Sequence, residues 1–152
     1  AVARKVLRAN AHNSLEGVTF SGGEPMQQAD RALALIRSIR HQAPTLTFGM
    51  FSGYSERELA EGRYWIWNRQ MALEEKQSLW KAIRAELDFA ILGRINQALP
   101  SNLPLRTSRN QVLRLFSGRY TEADFAEQVI EVHIDDSGRA ELTGFPLFGL
   151  PW

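Results

Sequence analysis

Ser21-Gly22-Gly23-Glu24-Pro25 directly follows Gly17-Val18-Thr19-Phe20, a short run of β-favouring residues. Two adjacent glycines permit positive φ and let a ligand come up against the main chain. Pro25 suits the first turn of a following helix. Main-chain groups left free at such a strand end can hold a polar ligand, and a strand-to-helix turn without a ligand explains the pentapeptide about equally well. Ser52-Gly53-Tyr54 and Gly93-Arg94 are two further breaks of glycine and a polar residue, each after an apolar run. Cysteine is absent, which excludes disulfides, a thiolate nucleophile and any Cys-ligated zinc or iron–sulfur site within these residues. The three histidines, His12, His41 and His133, are scattered along the chain and read as surface residues rather than metal ligands. No metal site and no catalytic side chain is identifiable from spacing.

The elements that position these loops follow from hydrophobic periodicity. Ala1 to Asn10 reads as a helix with Val2, Val6 and Leu7 at helical spacing, broken by Ala11-His12-Asn13-Ser14. From Met26 onward, Ala29, Ala32, Leu33, Ile36 and Ile39 define one face of an amphipathic helix that ends before Pro44. Leu46 to Phe51 is a strand, and Ser55 with Glu58 three residues later fits a capping box that opens a short helix. Leu73, Gln77, Trp80, Ile83 and Leu87 mark a second long helix, and Leu87 to Leu92 a third strand. A polar loop from Ile95 to Arg109 leads to a fourth strand candidate, Gln111 to Phe116. Ile130, Val132 and Ile134 alternate with polar residues, and Asp136-Ser137-Gly138 turns the chain into Ala140–Thr143, a hairpin.

Short apolar strands joined by amphipathic helices imply an α/β fold with a parallel sheet. Ligands collect at the carboxyl edge of such sheets, where the three glycine-containing loops meet. Trp65, Trp67 and Trp80 read as core or interface packing rather than a cofactor box. Arg106-Thr107-Ser108-Arg109 reads either as an anion or partner contact or as a solvated loop. Asp135-Asp136 reads as part of a turn.

Gly17 to Pro25 resembles, nearly letter for letter, the Gly-Gly-Glu-Pro signature of radical S-adenosylmethionine enzymes, above all the activating enzymes of glycyl-radical proteins. Phe51-Ser52-Gly53-Tyr54, with Glu56 and Leu59, resembles the Thr-Gly-Tyr strand end of the activating enzyme of anaerobic ribonucleotide reductase. Leu87 to Arg94, followed by Leu103 to Gln111, is similar to that family's strand and its Arg-Gly-Ser-x-Asn-Gln stretch. The likeness spans roughly Gly17 to Val112. It implies a parallel-sheet partial (β/α) barrel fragment with a C-terminal β-hairpin, residues 1–152 forming one domain with its core in 16–94 and an extension in 95–152. It further implies that Gly22, Gly23, Glu24 and Pro25 hold the methionine end of S-adenosylmethionine, that Ser52 and Gly53 line the same pocket, and that Arg94 lies near the cofactor's carboxylate or ribose.

The implied activity is generation of a 5′-deoxyadenosyl radical that installs a glycyl radical on a partner, the anaerobic ribonucleotide reductase. The family's Cys-x3-Cys-x2-Cys motif, which holds a [4Fe-4S] cluster, is expected upstream of Ala1. Two positions depart from the pattern: Leu92 stands where an acidic residue is common, and Thr107 where the glycine of Arg-Gly-Ser would be. Two competing expectations are a non-catalytic homologue that binds S-adenosylmethionine or a partner, and a radical enzyme with another substrate.

Composition agrees with a packed domain. Of 152 residues, 44 % are apolar, and the formal charge is +1. That balance gives no support to a nucleic-acid surface or an anionic-membrane anchor. No apolar run approaches the roughly 20 residues of a membrane helix. A cytoplasmic location is expected.

Overall fold

The computed structural model describes residues 1–67 and 69–126, with the backbone of 130–134 and 140–144. Helix α1 (Val2–Asn13) leads into strand β1 (Gly17–Phe20), a 3₁₀ turn (Pro25–Gln28) and helix α2 (Ala29–Gln42). Strand β2 (Thr47–Ser52), the short helix α3 (Glu56–Ala60), helix α4 (Leu73–Glu86) and strand β3 (Phe89–Leu92) follow. Strand β4 (Val112–Leu115) closes the main sheet, and β5 (Ile130–Ile134) with β6 (Ala140–Gly144) forms a separate hairpin.

The sheet order is β1-β2-β3-β4. The first three strands are parallel, with Val18 beside Phe48 and Phe51 beside Ile91. β4 runs antiparallel to β3, pairing Leu113 with Ile91. The fold is therefore α/β with an open sheet, parallel apart from its last strand. The hairpin pairs Ile130 with Gly144 and Ile134 with Ala140; its turn, including Asp135-Asp136, lies outside the described residues.

Strand alternation sorts the sheet into two faces. Phe48, Met50, Ala90 and Leu92 join Ile36, Ile39, Trp80 and Ile83 in the core beneath α2 and α4. Phe89, Ile91 and Leu113 form a second cluster on the opposite face, with Phe51, Tyr120 and Phe125 against it. Gly49 makes room there: a Cβ on it would run into the Phe89 ring. Burial of each large side chain stabilises the sheet by about 1.5–3 kcal/mol.

Three of the boundary differences from the periodicity have a local physical cause. α1 continues through Ala11, His12 and Asn13 instead of breaking there, and ends where Ser14 turns left-handed at φ 50°. Polar side chains on an exposed helix carry no penalty severe enough to stop it, so the run alone was no terminator. The Met26 segment begins as a 3₁₀ turn, because Pro25 at its start and the Glu24 carboxylate on the Met26 amide fix a tight first turn. β3 starts at Phe89 rather than Leu87, because Asp88 is spent bonding the ends of neighbouring strands.

Candidate functional site

All three glycine-containing loops lie at the carboxyl edge of β1, β2 and β3, and one side chain ties the first two together. The Glu24 carboxylate accepts from the Met26 amide at 2.9 Å and the Ser52 hydroxyl at 2.8 Å. Its second oxygen accepts from the Gly53 amide at 2.7 Å. Glu24 thus fixes the loop after β1 against the end of β2. Ser52 is buried, and its hydroxyl also accepts from the Tyr54 amide. Charge-assisted bonds of this kind are about twice as strong as neutral ones.

What this bridge leaves open is the main chain before it. Gly22 sits at φ +94°, where an L side chain is strained. Neither Gly22 nor Gly23 has any atom within 4 Å of the place a Cβ would occupy. Among the described residues no hydrogen bond reaches the main chain of either glycine. Gly23, Glu24 and Pro25 border a cavity of about 320 Å³, walled also by Phe20, Arg31 and by Val2 at the start of α1. A larger cavity of about 690 Å³ lies on the opposite face of the sheet from α2 and α4, beside Thr19, Phe51, Phe89 and Tyr120. Unbonded, unhindered main chain rather than volume singles out the smaller one.

Arg94 reaches the same edge from β3. Its guanidinium forks onto both oxygens of Glu58, at 3.0 and 2.9 Å, and lies over the Tyr54 ring. Glu58 is itself the capping-box residue of α3, accepting from the Ser55 amide. Arg94, then the Ser55 amide, holds the Glu58 carboxyl down to about 2. Behind Arg94, Gly93 adopts φ +119°, and a Cβ there would press on the Asn110 carbonyl at 3.3 Å. Asn110 donates to the Arg94 carbonyl and Gln111 to the Gly93 carbonyl. Gln111 also accepts from the Thr107 and Ser108 amides.

The sequence-derived residues Gly22, Gly23, Glu24, Pro25, Ser52, Gly53 and Arg94 therefore share one edge. Their polar groups do different things. The side chains of Glu24 and Ser52 and the amide of Gly53 are spent on one another, Arg94 is spent on Glu58, and the main chain of Gly22 and Gly23 is unbonded among the described residues. The stretch Arg106 to Arg109 is no simple solvated loop: Ser108 is fully buried and accepts from the Asn96 amide. Sequence reasoning missed Glu58 as the partner of Arg94, although its capping box was legible. It also missed Asn110 and Gln111 as struts. His12 and His41 are exposed, and His133 lies outside the residues whose side chains are described.

The model of a family described as a 4Fe-4S single cluster domain matches residues 1–114. The chain belongs to this 4Fe-4S single cluster family. Nothing among curated proteins and nothing among solved structures matches it. The match takes in α1, the whole glycine edge and nearly all of β4. The cluster that describes the family does not fit these residues as its ligands. Cysteine is absent from all 152, and among the described residues no three His, Asp or Glu side chains converge on a metal position. Among the described residues no helix is long and apolar enough to cross a membrane.

Proposed function

We propose that this chain is the C-terminal part of a radical S-adenosylmethionine activating enzyme whose target is a glycyl-radical protein of the anaerobic ribonucleotide reductase type. The observation that carries the proposal is the unbonded main chain of Gly22 and Gly23 at the carboxyl edge of a parallel sheet, in a member of an iron–sulfur family. The methionine end of S-adenosylmethionine presents an ammonium and a carboxylate. Free carbonyls and amides on two glycines offer acceptors and donors to both, and the lack of Cβ atoms lets the ligand lie against them.

Glu24 is a positioning residue in this scheme, because all its observed bonds go to the protein. Ser52 and Gly53 anchor it. Arg94 is held by Glu58 at the same sheet edge. S-adenosylmethionine held on these glycines would supply the radical chemistry of such an enzyme, and these residues would hold and orient it. The cluster's thiolates belong, in this proposal, to residues outside these 152. Val2 borders the same cavity as Gly23, so chain near the start of α1 is beside the cofactor loop.

The test is titration of S-adenosylmethionine into the anaerobically prepared complete gene product and its Gly23→Val variant. Saturable binding that weakens at least tenfold in the variant, with the melting temperature kept, supports the proposal. Equal affinity in both removes its central support. A second reading, a homologue that binds a ligand or partner without radical chemistry, is favoured by the absence of cysteine. It predicts a complete gene product that takes up no cluster when given iron and sulfide.

A further inference from the structure

Residues 64–67 form an extended segment in which burial alternates. Tyr64 and Ile66 are 4 % and 2 % exposed, whereas Trp65 and Trp67 are 54 % and 57 % exposed. The inward pair anchors the segment: Ile66 sits in the core, and the Tyr64 hydroxyl donates to the Lys76 carbonyl at 2.7 Å. The main chain is anchored as well. The Trp67 amide donates to the Gln27 carbonyl at 2.8 Å, and the Trp65 amide to the Tyr54 hydroxyl at 3.2 Å. Gln27 belongs to the turn that follows Pro25, and Tyr54 follows Gly53. The two indoles are thus tied, through their main chain, to the segments that follow the first two loops of the glycine edge.

Indoles held outward on an anchored segment are not a core element that failed to close. An aromatic side chain carries 150–250 Å² of burial, roughly, and leaving half of it wet forgoes much of that stabilisation. The rings stand side by side, with centroids 6.5 Å apart, a platform wide enough for one large apolar side chain. Arginines are frequent in the neighbouring stretch of chain and beside Trp67. Arg57 and Arg63 share the single carboxylate of Glu61. Arg31 and Arg69 flank Trp67 around a small cavity together with Asp30, and have no ion pair among the described residues. Beside Trp67 two guanidiniums therefore accompany one carboxylate, on a chain whose overall charge is only +1. Tryptophan and arginine are the residues that most often anchor protein interfaces.

We infer that Trp65 and Trp67, with Arg69, form the docking platform for a partner polypeptide that presents a large apolar side chain beside carboxylates. The inference rests on the proposed activating role, in which a partner's glycine must be delivered to the Gly22–Gly23 edge. Anchorage through Gln27 and Tyr54 fixes the platform relative to that edge, so a segment seated on the indoles enters in one register. Electrostatic attraction to the basic rim speeds encounter and weakens with salt.

The experiment measures affinity between the complete gene product and the glycyl-radical reductase from the same genome, in low and high salt. Trp65→Ala/Trp67→Ala is expected to weaken the complex at least tenfold, and Trp67→Phe to restore part of the loss. Arg69→Glu is expected to weaken it severalfold and to flatten the salt dependence. Because the replaced side chains are exposed, melting temperature and S-adenosylmethionine affinity stay as in the parent. Should the double variant fold poorly, Arg69→Glu and Trp67→Phe carry the test alone. A double variant that folds and binds the reductase like the parent overturns the platform and leaves the activating role standing. A parent that binds S-adenosylmethionine but no reductase overturns the partner assignment and the platform with it. Indole-dependent binding of a single-stranded oligonucleotide, with reductase binding unaffected by the substitutions, also overturns it.

Discussion

Both edges of the sheet are held by a carboxylate that bridges strand ends, and the two bridges serve opposite purposes. At the amino edge Asp88, 4 % exposed, accepts from the Phe48 amide and the Ser117 hydroxyl, each at 2.7 Å. Arg40 and Arg119 approach it at 3.8 and 4.0 Å. Its own carbonyl accepts from Phe116 and its amide donates to Phe48. Every strand end there is closed on another. At the carboxyl edge Glu24 makes a similar set of bonds but is only half-buried. It pins Pro25 and Met26 on one side and Ser52 and Gly53 on the other, leaving Gly22 and Gly23 unbonded between strand and bridge. One bridge closes strand ends on each other, while the other leaves unbonded main chain beside it. In open α/β sheets the carboxyl edge is the usual place for ligands.

The largest effect is expected at the closed edge. Asp88→Ala strips a buried amide and a hydroxyl of their acceptor and takes a carboxylate away from Arg40 and Arg119. The cost should be about 3 kcal/mol, a fall in melting temperature of roughly 6–12 °C for a chain of this size. S-adenosylmethionine affinity in the folded fraction should be unchanged. Calorimetry with a parallel ligand titration checks both; lost affinity at unchanged stability would make the two edges one functional unit.

Gly23→Val reverses that pattern. Nothing lies within 4 Å of its added Cβ and its φ is not positive, so the stability change should stay within about 0.5 kcal/mol. The weakening of cofactor binding should reach at least tenfold, about 1.4 kcal/mol. Gly22 is the poorer probe, since its φ of +94° adds backbone strain to any loss of binding. Glu24→Gln falls between the extremes. An amide nitrogen would face a donor among Met26, Ser52 and Gly53, costing about 1 kcal/mol of stability. Affinity should fall severalfold as the loop after β1 loses part of its anchor on the end of β2. If Glu24→Gln leaves affinity intact while destabilising the fold, Glu24 is a structural bridge like Asp88.

Much of the contrast was legible in the sequence. Periodicity places β1, β2 and β3 side by side because apolar residues recur at the spacings each element requires, and Ser55-x-x-Glu58 announces a cap through purely local bonds. The three glycine breaks locate the carboxyl edge. What stayed hidden depends on pairs distant in sequence. Asp88 is one residue inside an apolar run, and nothing local shows that it meets Phe48 and Ser117. The Glu24–Gly53 bond spans 29 residues, and the Arg94–Glu58 pair spans 36. Trp65 and Trp67 resemble Trp80 in composition, yet only Trp80 is buried, because two-residue alternation within an irregular connection is too short to separate inside from outside.

The smallest effect separates a strut from a ligand-binding group at the open edge. The Glu58 carboxyl is held at about 2, below its usual 4.5, first by Arg94 and then by the Ser55 amide. A carboxylate with a depressed native value stabilises the fold fully above its unfolded value, and loses that contribution as pH falls through the native one. The contribution therefore fades between about pH 4.5 and pH 2. Arg94 is mostly exposed, its side chain 63 % accessible, so solvent screening reduces the pair to roughly 0.5 kcal/mol. Glu58→Gln should remove that amount at neutral pH and flatten the acid limb between those values, as a series of melts in buffers from pH 6 to pH 2, or about that range, would show. It also frees the guanidinium beside Gly53. If Arg94 is a strut, S-adenosylmethionine affinity changes by less than about twofold, 0.4 kcal/mol. A clear tightening would mean that the released guanidinium reaches the cofactor's carboxylate, making Arg94 a binding group that Glu58 holds back.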